Sequence, residues 1–320
     1  MVTDTMKELV LIQPRGFCAG VVRAIDAVWL ALERFGPPIY VRHEIVHNDH
    51  VLAELEAAGA VFVDELDEVP PESHVFFSAH GVAPAVREEA ARRNLKAIDA
   101  TCPLVAKVHQ QAIRLDRAGY TIILIGHRDH VEVVGTRGEA EASTVLVSSV
   151  AEAETVEVPD PERVAYLTQT TLSVDDVAEI VATLERRFPA IRPPASEDIC
   201  YATSNRQAAV RAVAPSVDVV LVVGSPGSSN SRSLVATAER AGAAAALVPA
   251  PPAIPWPMLE GVSRVGLTSG ASTPEVLFQK VVEDLVSAGF GRRDEIQVLD
   301  EHVTFATVPA LRHWAGVKPR

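Results

Sequence analysis

The chain has 320 residues, 48% hydrophobic and 22% charged, a balance that excludes a disordered chain and suits two or three compact units with a substantial core. Its 29 Lys and Arg against 42 Asp and Glu give a formal charge of −13 with no long basic stretch, which argues against nucleic acid as a partner, because the phosphate backbone needs a basic footprint. The most apolar stretch, Ala241 to Pro257, carries Pro249, Pro251, Pro252 and Pro255 and lacks the roughly 20 uninterrupted apolar residues of a membrane helix, so no membrane association is expected.

From the N-terminus, MVTDTMKELVLIQPRGFCAG has too short an apolar core for a secretory signal, and a cytoplasmic location is the expectation. Three segments of helical period then open on a cysteine each: CAGVVRAIDAVWLALERF at Cys18, CPLVAKVHQQAIRLDRAG at Cys102 and CYATSNRQAAVRAVAPS at Cys200. Apolar runs of strand type follow each one, IYVRHEIVHN, YTIILIGHRDH and VDVVLVVGSPGSSN, and Gly126 and Gly224 both lie 24 residues after their cysteine. A second set of apolar runs ends in small polar residues: HVFFSAHGV, VAYLTQTTLSVDD and SRVGLTSGASTPE. Ser173, and Ser272 with Glu275 at capping-box spacing, read as helix starts.

The pattern predicts an α/β protein of three similar modules: 19–102, 103–196 and 197–320, the last completed by an N-terminal strand within 1–18. Packed about a pseudo-threefold axis, the three cysteines would converge and the polar strand ends would surround them, at the edge of a parallel sheet where ligands bind.

Three cysteines cannot all pair as disulfides, and a cysteine taken singly is more often a small buried hydrophobe than a ligand. No C-x2-4-C pair is present, which disfavours structural zinc. Three separated thiolates suit an iron–sulfur cube with three corners held by protein and one iron open, acting as Lewis acid and electron donor. Among ten histidines, His47, His80 and His130 sit near predicted strand ends, where imidazoles can donate to phosphate oxygens. Ser228, Ser229, Asn230 and Ser272 occupy the corresponding edges, with Gly224 and Gly227 allowing backbone approach to the same anion. Glu132, on the same face as His130 if that segment is extended, is a candidate proton donor once a dry pocket raises its pKa, with Thr170 orienting substrate or relaying the proton.

The motifs PRGFCAGV, VRHEIVHN, FSAHGV, DATCPLV, TQTTLSVDD, DICYATSNRQ and SSNS together resemble the 4-hydroxy-3-methylbut-2-enyl diphosphate reductase family, also called IspH or LytB, from Pro14 to about Pro274. The resemblance implies a trefoil of three α/β modules around one 4Fe-4S cluster, held by Cys18, Cys102 and Cys200 with the fourth iron open to substrate. It implies a diphosphate pocket of His47, His80, His130, Thr170, Ser228, Ser229, Asn230 and Ser272, proton supply by Glu132 with Thr170, and a ferredoxin or flavodoxin as electron donor. The activity implied is reductive dehydroxylation of an allylic diphosphate to isopentenyl and dimethylallyl diphosphates, the last step of the methylerythritol phosphate route. Two departures stand out: Val131 replaces the proline of an HPEV motif, lifting a φ constraint beside Glu132, and GSPG replaces a lysine-containing loop. Rival readings are an iron–sulfur hydro-lyase, which needs no reductant, a cluster-based redox or iron sensor, and an α/β binding protein with three buried cysteines.

Overall fold

The computed structural model describes residues 7–314; residues 1–6 and 315–320, assigned above to the N-terminal strand and the third module, lie outside the described residues. The chain begins with β1 (Glu8–Gln13), α1 (Ala19–Phe35), β2 (Ile39–Arg42), α2 (Asp49–Ala57), β3 (Ala60–Val63), β4 (His74–Phe77), α3 (Pro84–Arg92) and β5 (Lys96–Asp99). It continues through α4 (Pro103–Arg117), β6 (Thr121–Ile125), α5 (Val131–Gly138), β7 (Thr144–Val147), α6 (Val150–Thr155), β8 (Val164–Thr168) and α7 (Val174–Arg187). It ends with α8 (Tyr201–Val213), β9 (Val219–Val223), α9 (Ser229–Arg240), β10 (Ala244–Val248), β11 (Arg264–Ser269), α10 (Glu275–Ser287) and β12 (Arg292–Gln297). The three cysteine-led segments are thus α1, α4 and α8, each starting one residue after its cysteine.

Three sheets form, in the orders β3-β2-β4-β5, β7-β6-β8 and β10-β9-β11-β1-β12, and their pairings are parallel. Each contains the same three-strand pattern, in which the first strand in sequence lies between the second and third. The connections therefore leave in opposite directions from the gap between β2 and β4, between β6 and β8, and between β9 and β11, which opens a crevice at the carboxyl ends of those strands.

Two compact units hold these sheets. One comprises 7–18, His47–Asp49 and Tyr201–Val303 with the five-stranded sheet; the other comprises Ala19–Val46, His50–Cys200 and 304–314 with the remaining two. In the first unit alternate residues of the strands serve opposite faces. Leu9, Leu221, Val265 and Leu267 pack on Phe278, Val281 and Leu285 of α10, while Val10, Ile12, Val220 and Val222 pack on Val210 of α8 and Leu234 of α9. Burial on both faces explains the continuous apolar run of β9, since helices cover both sides of a parallel sheet. In the second unit Ile123 and Ile125 meet Val177, Ile180 and Leu184 of α7, and Ile122 and Leu124 meet Val108 of α4 and Val133 of α5.

Three local expectations change. The strand IYVRHEIVHN stops at Arg42, because His43 takes a left-handed φ of +56° that turns the chain out of the sheet. HRDHVEV is a helix start and not an extended segment: His130 caps α5, and Glu132 lies in its first turn. Ser173 caps α7 as expected, whereas Pro274 precedes α10 and the Ser272 hydroxyl donates to the His47 carbonyl at 3.1 Å instead.

Candidate functional site

Each cysteine is half-buried and is a thiol, with no disulfide. The backbone N–H of each donates to a carbonyl two residues beyond a strand end: Cys102 to Ala79 after β4 at 2.9 Å, Cys200 to Thr170 after β8 at 3.0 Å, and Cys18 to Ala271 after β11 at 3.1 Å. The second set of apolar runs in the sequence thus provides the anchors for the cysteines. In the second unit, Arg23 of α1 adds a tether by donating to the carbonyls of Ala100 and Thr101 at 3.1 and 3.0 Å, just before Cys102.

In the second unit the structure brings together His80, His130, Glu132 and Thr170. The His80 and His130 rings meet edge to face with centroids 5.8 Å apart. Nδ1 of His130 accepts from the Glu132 backbone N–H at 3.2 Å, which places the ring proton of a neutral His130 on Nε2, where it can serve an anion. Ser78 Oγ lies 3.2 Å from Nδ1 of His80.

Glu132 is 2% exposed. Its Oε1 accepts from the Thr170 backbone N–H at 2.6 Å and its Oε2 from the Thr170 hydroxyl at 3.0 Å. Burial pushes its pKa up to about 7, outweighing the two Thr170 hydrogen bonds that favour the ionised form, and the nearby Asp198 pushes the same way. Asp198 is itself held above the ordinary range by burial, although it accepts from Thr168 N at 3.1 Å and Gln111 Nε2 at 2.7 Å.

In the first unit the structure assembles His47, Ser228, Ser229, Asn230 and Ser272 at the ends of β9 and β11. Ser228 caps α9 by accepting from Ser231 N–H at 3.2 Å. Oδ1 of Asn230 accepts from the Ala271 N–H at 2.8 Å, leaving its buried Nδ2 as a donor with no hydrogen-bond partner among the described residues. Gly224 is required here by packing rather than by an anion, since a Cβ on it would lie 2.3 Å from Ser231 Oγ, and one on Gly270 2.1 Å from the same atom. Gly126 has the equivalent role at the end of β6, where a Cβ would lie 2.5 Å from a Val133 methyl. The equal spacing of these two glycines from their cysteines therefore marks where α5 and α9 press on strand ends.

Sequence reasoning passed over Arg23, Ser231 and Arg206. Arg206, 1% exposed, donates to both carboxylate oxygens of Glu301 at 3.0 and 3.2 Å and to the Gly16 carbonyl at 2.8 Å, binding the PRGFC loop to α8. An arginine inside an apolar helical face was the available signal.

Polar side chains at the switch points of parallel sheets, with a buried carboxyl that can hold its proton near neutral pH, define an α/β enzyme equipped for proton delivery. A family model described as LytB protein matches residues 9–286, and the chain belongs to this family. It is 56% identical over 307 residues to the 4-hydroxy-3-methylbut-2-enyl diphosphate reductase of Acidothermus cellulolyticus, covering 96% of this chain and 90% of that one. The reductase of Leifsonia xyli is 54% identical over 307 residues, with 96% and 91% covered. Among solved structures, the E-1-hydroxy-2-methyl-but-2-enyl-4-diphosphate reductase of Plasmodium falciparum matches with a TM-score of 0.93 and 42% identity, over 97% of this chain and 98% of that one. The solved (E)-4-hydroxy-3-methyl-but-2-enyl diphosphate reductase, described as the terminal enzyme of the non-mevalonate pathway, matches with a TM-score of 0.61 and 30% identity, over 88% and 100%.

The family is an iron–sulfur one. The donor set present is compatible with such a group: three half-buried thiols, each at a helix N-terminus whose positive dipole end complements an anionic cluster. Among the described residues no three His, Cys, Asp or Glu side chains gather around a single metal ion. No helix among the described residues is long and apolar enough to cross a membrane.

Proposed function

We propose that this chain reduces (E)-4-hydroxy-3-methylbut-2-enyl diphosphate to isopentenyl and dimethylallyl diphosphates, the last step of the non-mevalonate isoprenoid route, in the cytoplasm. The reading includes the three modules 19–102, 103–196 and 197–320 with 1–18, and one 4Fe-4S cluster on Cys18, Cys102 and Cys200. When bound, that cluster supplies electrons, drawn from a ferredoxin or flavodoxin, and an open iron for the substrate hydroxyl.

The overall change breaks one C–O bond and consumes two electrons and two protons, with the oxygen leaving as water. What the chain itself contributes is binding and protons. His47, His80, His130, Ser228, Ser229, Asn230 and Ser272 are assigned to the diphosphate, and imidazole and amide N–H groups such as those of His130 and Asn230 are of the kind that phosphate oxygens accept from. Such fixed donors hold the substrate by its non-reacting end, so that the hydroxyl end is oriented without further loss of freedom.

Glu132 supplies the proton. Near neutral pH a substantial fraction of its carboxyl is protonated, so it can act as an acid where an ordinary glutamate would be ionised. The Thr170 hydroxyl donates to Oε2 when Glu132 is ionised and accepts from it when Glu132 is protonated, so it can pass a proton outward by rotating. The single observation that carries this reading is the pairing of a buried, proton-holding carboxyl with Thr170, whose own carbonyl receives the Cys200 N–H.

The test is anaerobic purification with iron and sulfide analysis, then electron paramagnetic resonance of the reduced protein with and without the substrate. About four irons per chain and a substrate-altered signal are expected. A chain with no cluster under strict anaerobiosis would overturn the proposal, and turnover without any reductant would favour the hydro-lyase.

A further inference from the structure

Helix α5 approaches the turn that carries His80 to backbone contact. A Cβ on Gly135 would lie 3.3 Å from the Gly81 carbonyl carbon, and one on Gly138 would lie 2.4 Å from the Ala83 Cβ. A side chain on Gly138 would force the two segments apart and one on Gly135 would crowd them, and Gly81 also has a φ of +80°. Against both backbones lies the ring of His109 from α4: a Cβ on Gly81 would come within 2.8 Å of its Cε1, and one on Gly135 within 3.4 Å of the same atom. His80 immediately precedes Gly81, and His130 is the cap of the helix that contains Gly135. The imidazole of His109 thus packs against the carriers of both other imidazoles, beside their backbone contact.

The ring is 4% exposed, and Nδ1 lies 3.1 Å from Oε1 of Glu139, which is also ion-paired with Arg87. A carboxylate only accepts, so the proton sits on Nδ1. Burial lowers the His109 pKa, with Arg87 adding to that and Glu139 and Asp99 opposing, so the ring is neutral near pH 7. A cavity of about 340 Å3, lined in part by Arg87, Thr101, His109 and Glu139, opens beside the ring. Packing therefore does not confine it on that side, and the bond to Glu139 is what fixes its plane.

We infer that His109, oriented by Glu139 and Arg87, is a positioning residue for the substrate: its ring buttresses the turn of His80 and the helix of His130 at their contact and so holds the relative placement of two donors to the diphosphate. This rests on the reading that His80 and His130 bind that group. The fold supplies a reason for a polar ring at a buried site where an apolar one would fill space equally well, since only a side chain with a fixed hydrogen bond holds one plane beside a cavity.

The experiment uses the cluster-loaded enzyme under anaerobic conditions, with inorganic pyrophosphate as probe in calorimetry and steady-state kinetics alongside. His109→Phe keeps ring volume and loses the Glu139 bond. It should weaken pyrophosphate binding and raise KM by about tenfold each, with a smaller change in kcat, because a displaced donor pair is a binding defect. His109→Gln, whose amide can still donate to Glu139, should restore most of the affinity. The loss should also vanish in a His80→Ala background, since both changes remove the same donor geometry. Should the Phe variant fail to fold, Glu139→Ala, which releases the ring toward the cavity, carries the same expectation. Wild-type affinity in folded His109→Phe while His80→Ala binds poorly, or losses that simply add, would overturn the inference and leave the diphosphate reading intact. If neither His80→Ala nor His130→Ala weakens pyrophosphate binding, the diphosphate reading falls and the inference with it.

Discussion

Glu132→Gln separates stability from catalysis at a single side chain. In the unfolded chain Glu132 titrates near its ordinary value of 4.5, and in the folded protein near 7. Below the lower value both states hold the proton. Between the two the unfolded state releases its proton while the folded state keeps it, so stability falls as pH rises, and above about 7 the folded protein carries the whole penalty of a buried carboxylate. That penalty is about 3 kcal/mol. Glutamine keeps an acceptor for the Thr170 N–H and offers a donor to the Thr170 hydroxyl, but it never ionises. Urea denaturation of the two cluster-loaded proteins should therefore differ by less than about 1 kcal/mol at pH 5 and by about 3 kcal/mol, in favour of the glutamine variant, at pH 8. Turnover of the variant should drop sharply while its pyrophosphate affinity is retained, and the wild-type rate should decline above about pH 7 as the acid form is lost. A stability difference independent of pH would refute the account of the raised pKa; normal turnover would refute the role as proton donor.

Cys102→Ser should lose most of its iron and sulfide when purified anaerobically, with secondary structure by circular dichroism little changed; a full iron complement would remove Cys102 from the ligand set. Arg206→Met should destabilise the chain by about 3 kcal/mol, because Glu301 and the Gly16 carbonyl lose their shared partner, and denaturant titration reads this directly. Ser231→Thr should weaken pyrophosphate binding by forcing α9 away from Gly224 and Gly270, whereas Ser231→Ala, which only removes a hydroxyl with no hydrogen-bond partner among the described residues, should not. Val131→Pro should be tolerated and raise the thermal midpoint slightly, since Val131 is the first residue of α5, a position at which proline's fixed φ suits a helix and no intrahelical N–H bond is lost.

The departure at Val131 illustrates how far local sequence reasoning reaches. Read as an extended segment, a valine there loosens Glu132. In the folded chain the helix start is held by the His130 cap, and the glutamate is aligned by Thr170 from another strand end. Ser272 shows the same limit, because its spacing to Glu275 matches a capping box, yet its hydroxyl goes to the His47 carbonyl, far away in sequence. The cysteine-led helices, by contrast, were legible from apolar periodicity, because helix burial repeats every three to four residues whatever the partner.

By itself the sequence determined the α/β class, the three cysteine-led helices and their accompanying strands, and the family, because periodicity, turn residues and contiguous motifs are local properties of the chain. Only the tertiary structure decided that Glu132 holds its proton near neutral pH, that Gly126 and Gly224 serve helix packing, and that His109 packs against the carriers of both His80 and His130. Those facts depend on desolvation and on contacts of one or two ångström tolerance between segments distant in sequence, and neither is written in the order of residues along the chain.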